Sequence, residues 1–135
     1  MINNNINLND VLTKNLEALW NIDTATFVNK HFDIDFTIAL IKTNSELDIS
    51  EFVDSFGKFL RPYDKIFSIT NDFVFVLFSY SNLDKAHGAI DRSKKDILFK
   101  DIGVALLEIN KSNNSEANFQ ILITEAFKNN LGNLS

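Results

Sequence analysis

Residues 61–78 constrain the fold more than any other stretch of this chain. Segments 65–70 and 73–80 both have strand length and are rich in β-branched and aromatic side chains, and Thr70, Asn71 and Asp72 form the tight turn between them. Asn and Asp tolerate the positive φ that such turns require. Two strands joined this closely must pair antiparallel, which commits the chain to a sheet. Pro62, just upstream, stops the helix that precedes the hairpin.

The neighbouring segments complete the pattern. Residues 36–43 form a mostly apolar run of strand length, expected to be buried on both faces, and residues 102–109 form a fourth strand. Ile49, Phe52, Val53, Phe56, Phe59 and Leu60 recur with helical period after a cluster of capping candidates. A polar, less amphipathic helix runs from Asn82 to about residue 96, and Phe119, Leu122, Ile123, Ala126 and Phe127 stripe a last helix. At the start, Leu8, Val11, Leu12, Leu16, Leu19 and Trp20 mark a short amphipathic helix, and the pattern loosens over residues 23–32. From Phe36 the order is β-α-β-β-α-β, the split unit of an α+β, ferredoxin-like domain. The expectation is one domain over residues 1–135, with helices on one face of the sheet, a C-terminal helix, and residues 1–22 as an N-terminal helical extension.

Composition narrows the chemistry. With no Cys, disulfide frameworks, thiolate catalysis and Cys-based zinc sites are excluded. Thirteen Lys and Arg against 18 Asp and Glu give a net charge of -5, which opposes attachment to nucleic acid or anionic lipid. The first ten residues lack the cationic and apolar regions of a signal peptide, and no apolar run approaches the roughly 20 residues that span a bilayer. A cytoplasmic location without membrane insertion is expected. His31 and His87 lie in different elements without a metal or acid-base pattern, and no Ser sits in a nucleophile elbow, so no cofactor is expected.

Arg61 and Asp64 form an R-x-x-D step, and five residues, 65–69, separate it from Thr70-Asn71-Asp72-Phe73-Val74. This arrangement resembles the signature region of GGDEF domains, the diguanylate cyclases, where R-x-x-D stands five residues before G-G-D/E-E-F. Asp23, Thr26, Asn29 and Lys30 resemble the family's opening D-x-L-T-G-L-x-N-R, and Ile102-Gly-Val-Ala105 resembles its S-I-G-V-A strand. The element order is the family's as well. The resemblance implies cyclic di-GMP signalling in a bacterial cytoplasm.

The departures from the signature fall on its chemistry. In the family, carboxylates at the end of the first strand and in the signature hairpin hold two divalent cations, so that a ribose 3′ hydroxyl attacks an α-phosphate. Lys42 and Asn44 occupy the first-strand positions here. Thr70 and Asn71 replace the glycines that admit the nucleotide, and Phe73 replaces the catalytic glutamate. Asp72 alone keeps its identity, and a lone acid at a hairpin tip reads as a turn residue. The resemblance therefore implies an inactive domain with no metal, kept as a regulatory module for an unknown protein partner or for self-association. The alternative is a cyclic di-GMP receptor in which Arg61 forks onto guanine or phosphate and Asp64 accepts from the guanine edge. A purely structural reading of the pair has Arg61 ending a helix and Asp64 opening the loop after Pro62.

Overall fold

The computed structural model describes residues 8–43, 47–129 and 131, so Asn44 lies outside the described residues. Among them the chain forms α1 (Leu8–Thr13), α2 (Leu16–Phe32), β1 (Phe36–Lys42), α3 (Ile49–Phe56) and a 3-10 turn (Gly57–Phe59). β2 (Lys65–Ser68), β3 (Phe73–Ser79), α4 (Leu83–Ser93), β4 (Gly103–Glu108) and α5 (Ser115–Lys128) follow. The sheet order is β2-β3-β1-β4, with every neighbouring pair antiparallel. This is the topology expected from the β-α-β-β-α-β order. No helix among the described residues is long and apolar enough to cross a membrane.

Alternation along each strand divides the apolar residues into two cores. Ile38, Leu40, Phe73, Phe75, Leu77, Ala105 and Leu107 pack toward α1, α2 and α5. Ala39, Ile41, Val74, Val76 and Phe78 pack on the other side against Phe52 and Phe56 of α3 and Ala86 and Ile90 of α4. Phe99 closes this second core, with its ring edge-on to Phe52 and Phe56 at 5.2 Å between centroids. The two crossover helices thus share one face of the sheet as expected, and the N- and C-terminal helices cover the other. Burial from both sides explains why β1 and β3 read as continuous apolar runs.

The N-terminal region departs from its sequence pattern. The apolar stripe that begins at Leu8 is cut at residue 15, where Asn15 caps α2 by accepting a hydrogen bond from the Ala18 N–H at 2.9 Å. The new helix has its own phase: Leu12 is buried, whereas Leu16 and Trp20 are 80% and 68% exposed. α2 then runs unbroken through residue 22 to Phe32, across the segment where the apolar period loosens. Its buried face there carries Ala25, Thr26 and Asn29. Thr26 donates to the Ile22 carbonyl at 2.7 Å and accepts from the Asn118 amide at 3.0 Å, and the Asn29 amide donates to the Ile34 carbonyl at 2.9 Å, whereas the Oδ1 atoms of Asn29 and Asn118 are buried without a hydrogen-bond partner among the described residues.

Two local expectations near the hairpin are also revised. The turn after β2 uses no positive φ; among the described non-glycine residues only Asp33 and Tyr80 have one. Instead the Thr70 hydroxyl accepts from the N–H groups of Asp72 at 3.1 Å and Phe73 at 3.2 Å, closing the loop through a side chain. α3 ends at Phe56, and Leu60 is already extended, so Arg61 lies in the loop beyond the helical turns rather than at a helix end.

Candidate functional site

The R-x-x-D step is folded into a clamp. Asp64 turns back on its own loop, where one carboxylate oxygen accepts from the Arg61 backbone N–H at 2.9 Å and from Nε at 3.2 Å. The other oxygen accepts from Arg61 Nη2 at 3.3 Å and from the Ser79 N–H at 3.0 Å, which ties the loop to the end of β3. Arg61 Nη2 also donates to the Ser79 carbonyl at 2.6 Å and to the Ser81 hydroxyl. The Asp64 side chain is 2% exposed and that of Arg61 39% exposed. Hydrogen bonding to Asp64 raises the Arg61 guanidinium above its ordinary pKa, and the group stays cationic throughout the working range of pH. The guanidinium lies over the Tyr63 ring, 4.7 Å from its centre, and Tyr63 meets Tyr80 edge-on.

A cleft of about 430 Å³ opens beside this clamp, between the loop and α4. Arg61, Asp64, Asp84, Lys85, Gly88 and Arg92 line it. Asn82 caps α4, its side chain accepting from the Lys85 N–H at 3.0 Å, and so sets the phase of the helix. Lys85, Gly88 and Arg92 then recur at three- and four-residue spacing along one side of α4. Gly88 leaves its backbone bare: a Cβ there would stand 3.5 Å from Arg92 Nη1. Neither Lys85 nor Arg92 has an acidic partner among the described residues. Sequence reasoning singled out Arg61 and Asp64 but missed Lys85 and Arg92. Their signal was the helical spacing of two cations around a glycine, on a helix read only as polar.

The residues at the far end of the hairpin, whose spacing resembles the GGDEF signature, present a different surface. Lys42 closes β1, half-buried, opposite Phe73 of β3 and Gly103 of β4. Phe73 is 1% exposed and belongs to the core under α2 and α5. Asn71 and Asp72 are exposed at the tip, where the Asp72 carbonyl accepts from the Thr43 N–H at 2.9 Å. Asp72 therefore fixes the turn to the end of β1 through its backbone. No three His, Asp or Glu side chains among the described residues group as metal ligands. The structure separates the two sets of sequence candidates, with Arg61 and Asp64 at one end of β3 and Thr70 to Phe73 at the other.

Neither a family model nor a curated protein sequence matches the chain. Solved structures do match it in fold. The GGDEF domain of FimX from Pseudomonas aeruginosa aligns with a TM-score of 0.66 at 13% identity, over 84% of this chain and 83% of that one. A microbial GGDEF domain, described in its interaction with cyclic di-GMP, aligns with a TM-score of 0.58 at 8% identity, over 83% of this chain and 86% of its own. A fragment of PelD from Pseudomonas aeruginosa, running from residue 158 to the C-terminus, aligns with a TM-score of 0.53 at 11% identity, over 76% of this chain and 41% of that fragment. The chain has a GGDEF-like fold.

Proposed function

We propose that this chain is a non-catalytic regulatory domain of GGDEF-like fold that receives cyclic di-GMP in the cleft between the R-x-x-D loop and α4. The observation that carries the reading is the convergence of Arg61, Lys85 and Arg92 on one cleft, two of them without an acidic partner among the described residues. On a chain of net charge -5, such a local excess of cations favours an anionic ligand at that place. Guanidinium groups also match phosphodiester oxygens in geometry. The cleft volume falls within the range of small-molecule sites. The interaction of a fold neighbour with cyclic di-GMP supports the same ligand class.

Titration calorimetry with cyclic di-GMP tests this reading. Saturable binding at micromolar concentrations is expected, and Arg92→Ala should weaken it at least tenfold, since a charge-assisted hydrogen bond contributes about 1.5 to 3 kcal/mol. Absence of binding by the unaltered protein would overturn the receptor reading.

The non-catalytic part of the proposal draws on Lys42 and Phe73. One puts a cation, the other an apolar core residue, where the cyclase chemistry requires carboxylates. Incubation with GTP and magnesium or manganese is expected to yield no cyclic di-GMP. Product formation that Asp72→Ala abolishes would instead make Asp72 a metal ligand.

One further observation favours a second role for the domain, docking on a protein. Leu16, Trp20 and Phe27 are exposed and fall at four- and seven-residue spacing on the outward side of α2.

A further inference from the structure

We infer that Asp84, rather than Asp64, is the carboxylate that reads the base of the bound nucleotide, and that the cleft selects guanine over adenine. The inference rests on the cleft being the ligand site, and it concerns which base that site accepts.

Asp64 has no capacity left. A carboxylate offers about four lone-pair positions. Four N–H donors already use them: the Arg61 backbone N–H, Arg61 Nε, Arg61 Nη2 and the Ser79 N–H. With its side chain 2% exposed, Asp64 could accept from a ligand only by releasing one of these donors inside the protein. Its work is to hold the clamp.

Asp84 is in the opposite condition. It lines the same cleft, is exposed, and has no side-chain hydrogen bond or ion pair among the described residues. It lies in the first turn of α4, four residues before Gly88 and eight before Arg92, so it shares their side of the helix. A cleft built only for phosphate would be weakened by an unpaired acid beside Lys85. The acid becomes useful when the ligand brings donors of its own. Guanine does so, because its N1–H and N2 amino group present two adjacent donors that a carboxylate can accept together. Adenine lacks the N1 donor, and its N1 lone pair would face the carboxylate.

The competing explanation is that Asp84 only complements the positive end of the α4 dipole. Binding of cyclic di-GMP and cyclic di-AMP to the unaltered protein and to Asp84→Ala separates the two, with circular dichroism as the check on folding. The unaltered protein should bind cyclic di-GMP at least tenfold more tightly than cyclic di-AMP. Asp84→Ala should lose at least tenfold for cyclic di-GMP while holding or improving affinity for cyclic di-AMP, and Asp84→Glu should recover part of the preference. Unchanged or tighter binding of both ligands by Asp84→Ala would overturn the inference and leave the cleft as a phosphate site. An equal fall for both would also overturn it, as a structural effect. If the unaltered protein binds neither ligand, the receptor reading fails and this inference falls with it.

Discussion

Phe73→Glu, which places an acidic residue where the resemblance to the GGDEF signature would put the glutamate, is expected to unfold the domain rather than to create a cyclase. Phe73 is 1% exposed and sits in the core formed with Leu40, Phe75 and the helices α2 and α5. Truncating a buried Phe to Ala costs about 3 to 5 kcal/mol. Glutamate adds the burial of a carboxyl group for which the surrounding apolar side chains offer no hydrogen bond. Against a typical domain stability of about 5 to 15 kcal/mol, the sum removes most or all of the folded population. Thermal denaturation followed by circular dichroism should show no cooperative transition for Phe73→Glu, or one lowered by tens of degrees. A variant melting within a few degrees of the unaltered protein would mean that residue 73 does not point into the core.

Removing the carboxylate of the clamp should have the next largest effect. Asp64→Ala strands the backbone N–H groups of Arg61 and Ser79 and leaves the Arg61 guanidinium without its counter-ion. Breaking a fully buried ion pair costs about 3 to 5 kcal/mol. Because Arg61 is 39% exposed and can turn toward water, the expected loss is smaller, about 2 to 3 kcal/mol. Urea denaturation should show a lowered midpoint with an unchanged slope. A loss below about 1 kcal/mol would show that the clamp closes no more than a solvated surface loop. Asp64→Asn, which keeps one acceptor oxygen, should fall between the two.

How much of this was legible in the sequence depends on where each residue's partners lie. The strands and crossover helices could be read because β1 and β3 are unbroken apolar runs of strand length, and Phe52 and Phe56 recur at helical spacing, both of which are local signals. The second half of α2 was obscured because its polarity is inverted. Thr26 and Asn29 face inward with hydrogen bonds to Ile22, Ile34 and Asn118, whereas Phe27 and Phe32 face outward. The residues that lie together on α4 could not be assigned without knowing that this side of the helix meets the R-x-x-D loop. The clamp itself was half visible. The spacing of Arg61 and Asp64 marked them as a pair, but their anchors at Ser79 and Ser81 come from the far end of the hairpin, 15 to 20 residues away, at a separation no local pattern encodes.

Trp20 is the sole tryptophan of the chain, and its position on the outward stripe of α2 determines what its fluorescence can report. An indole in water emits at the long-wavelength end of its range whether the surrounding chain is folded or not. Its emission is therefore a poor monitor of unfolding and gives little signal from the two cores or from the cleft beside α4. The same position makes it a selective optical probe of contact at the α2 surface. A partner, or a second copy of the chain, that covered Leu16, Trp20 and Phe27 would shift the emission to shorter wavelength, whereas a nucleotide entering the cleft would leave it unchanged.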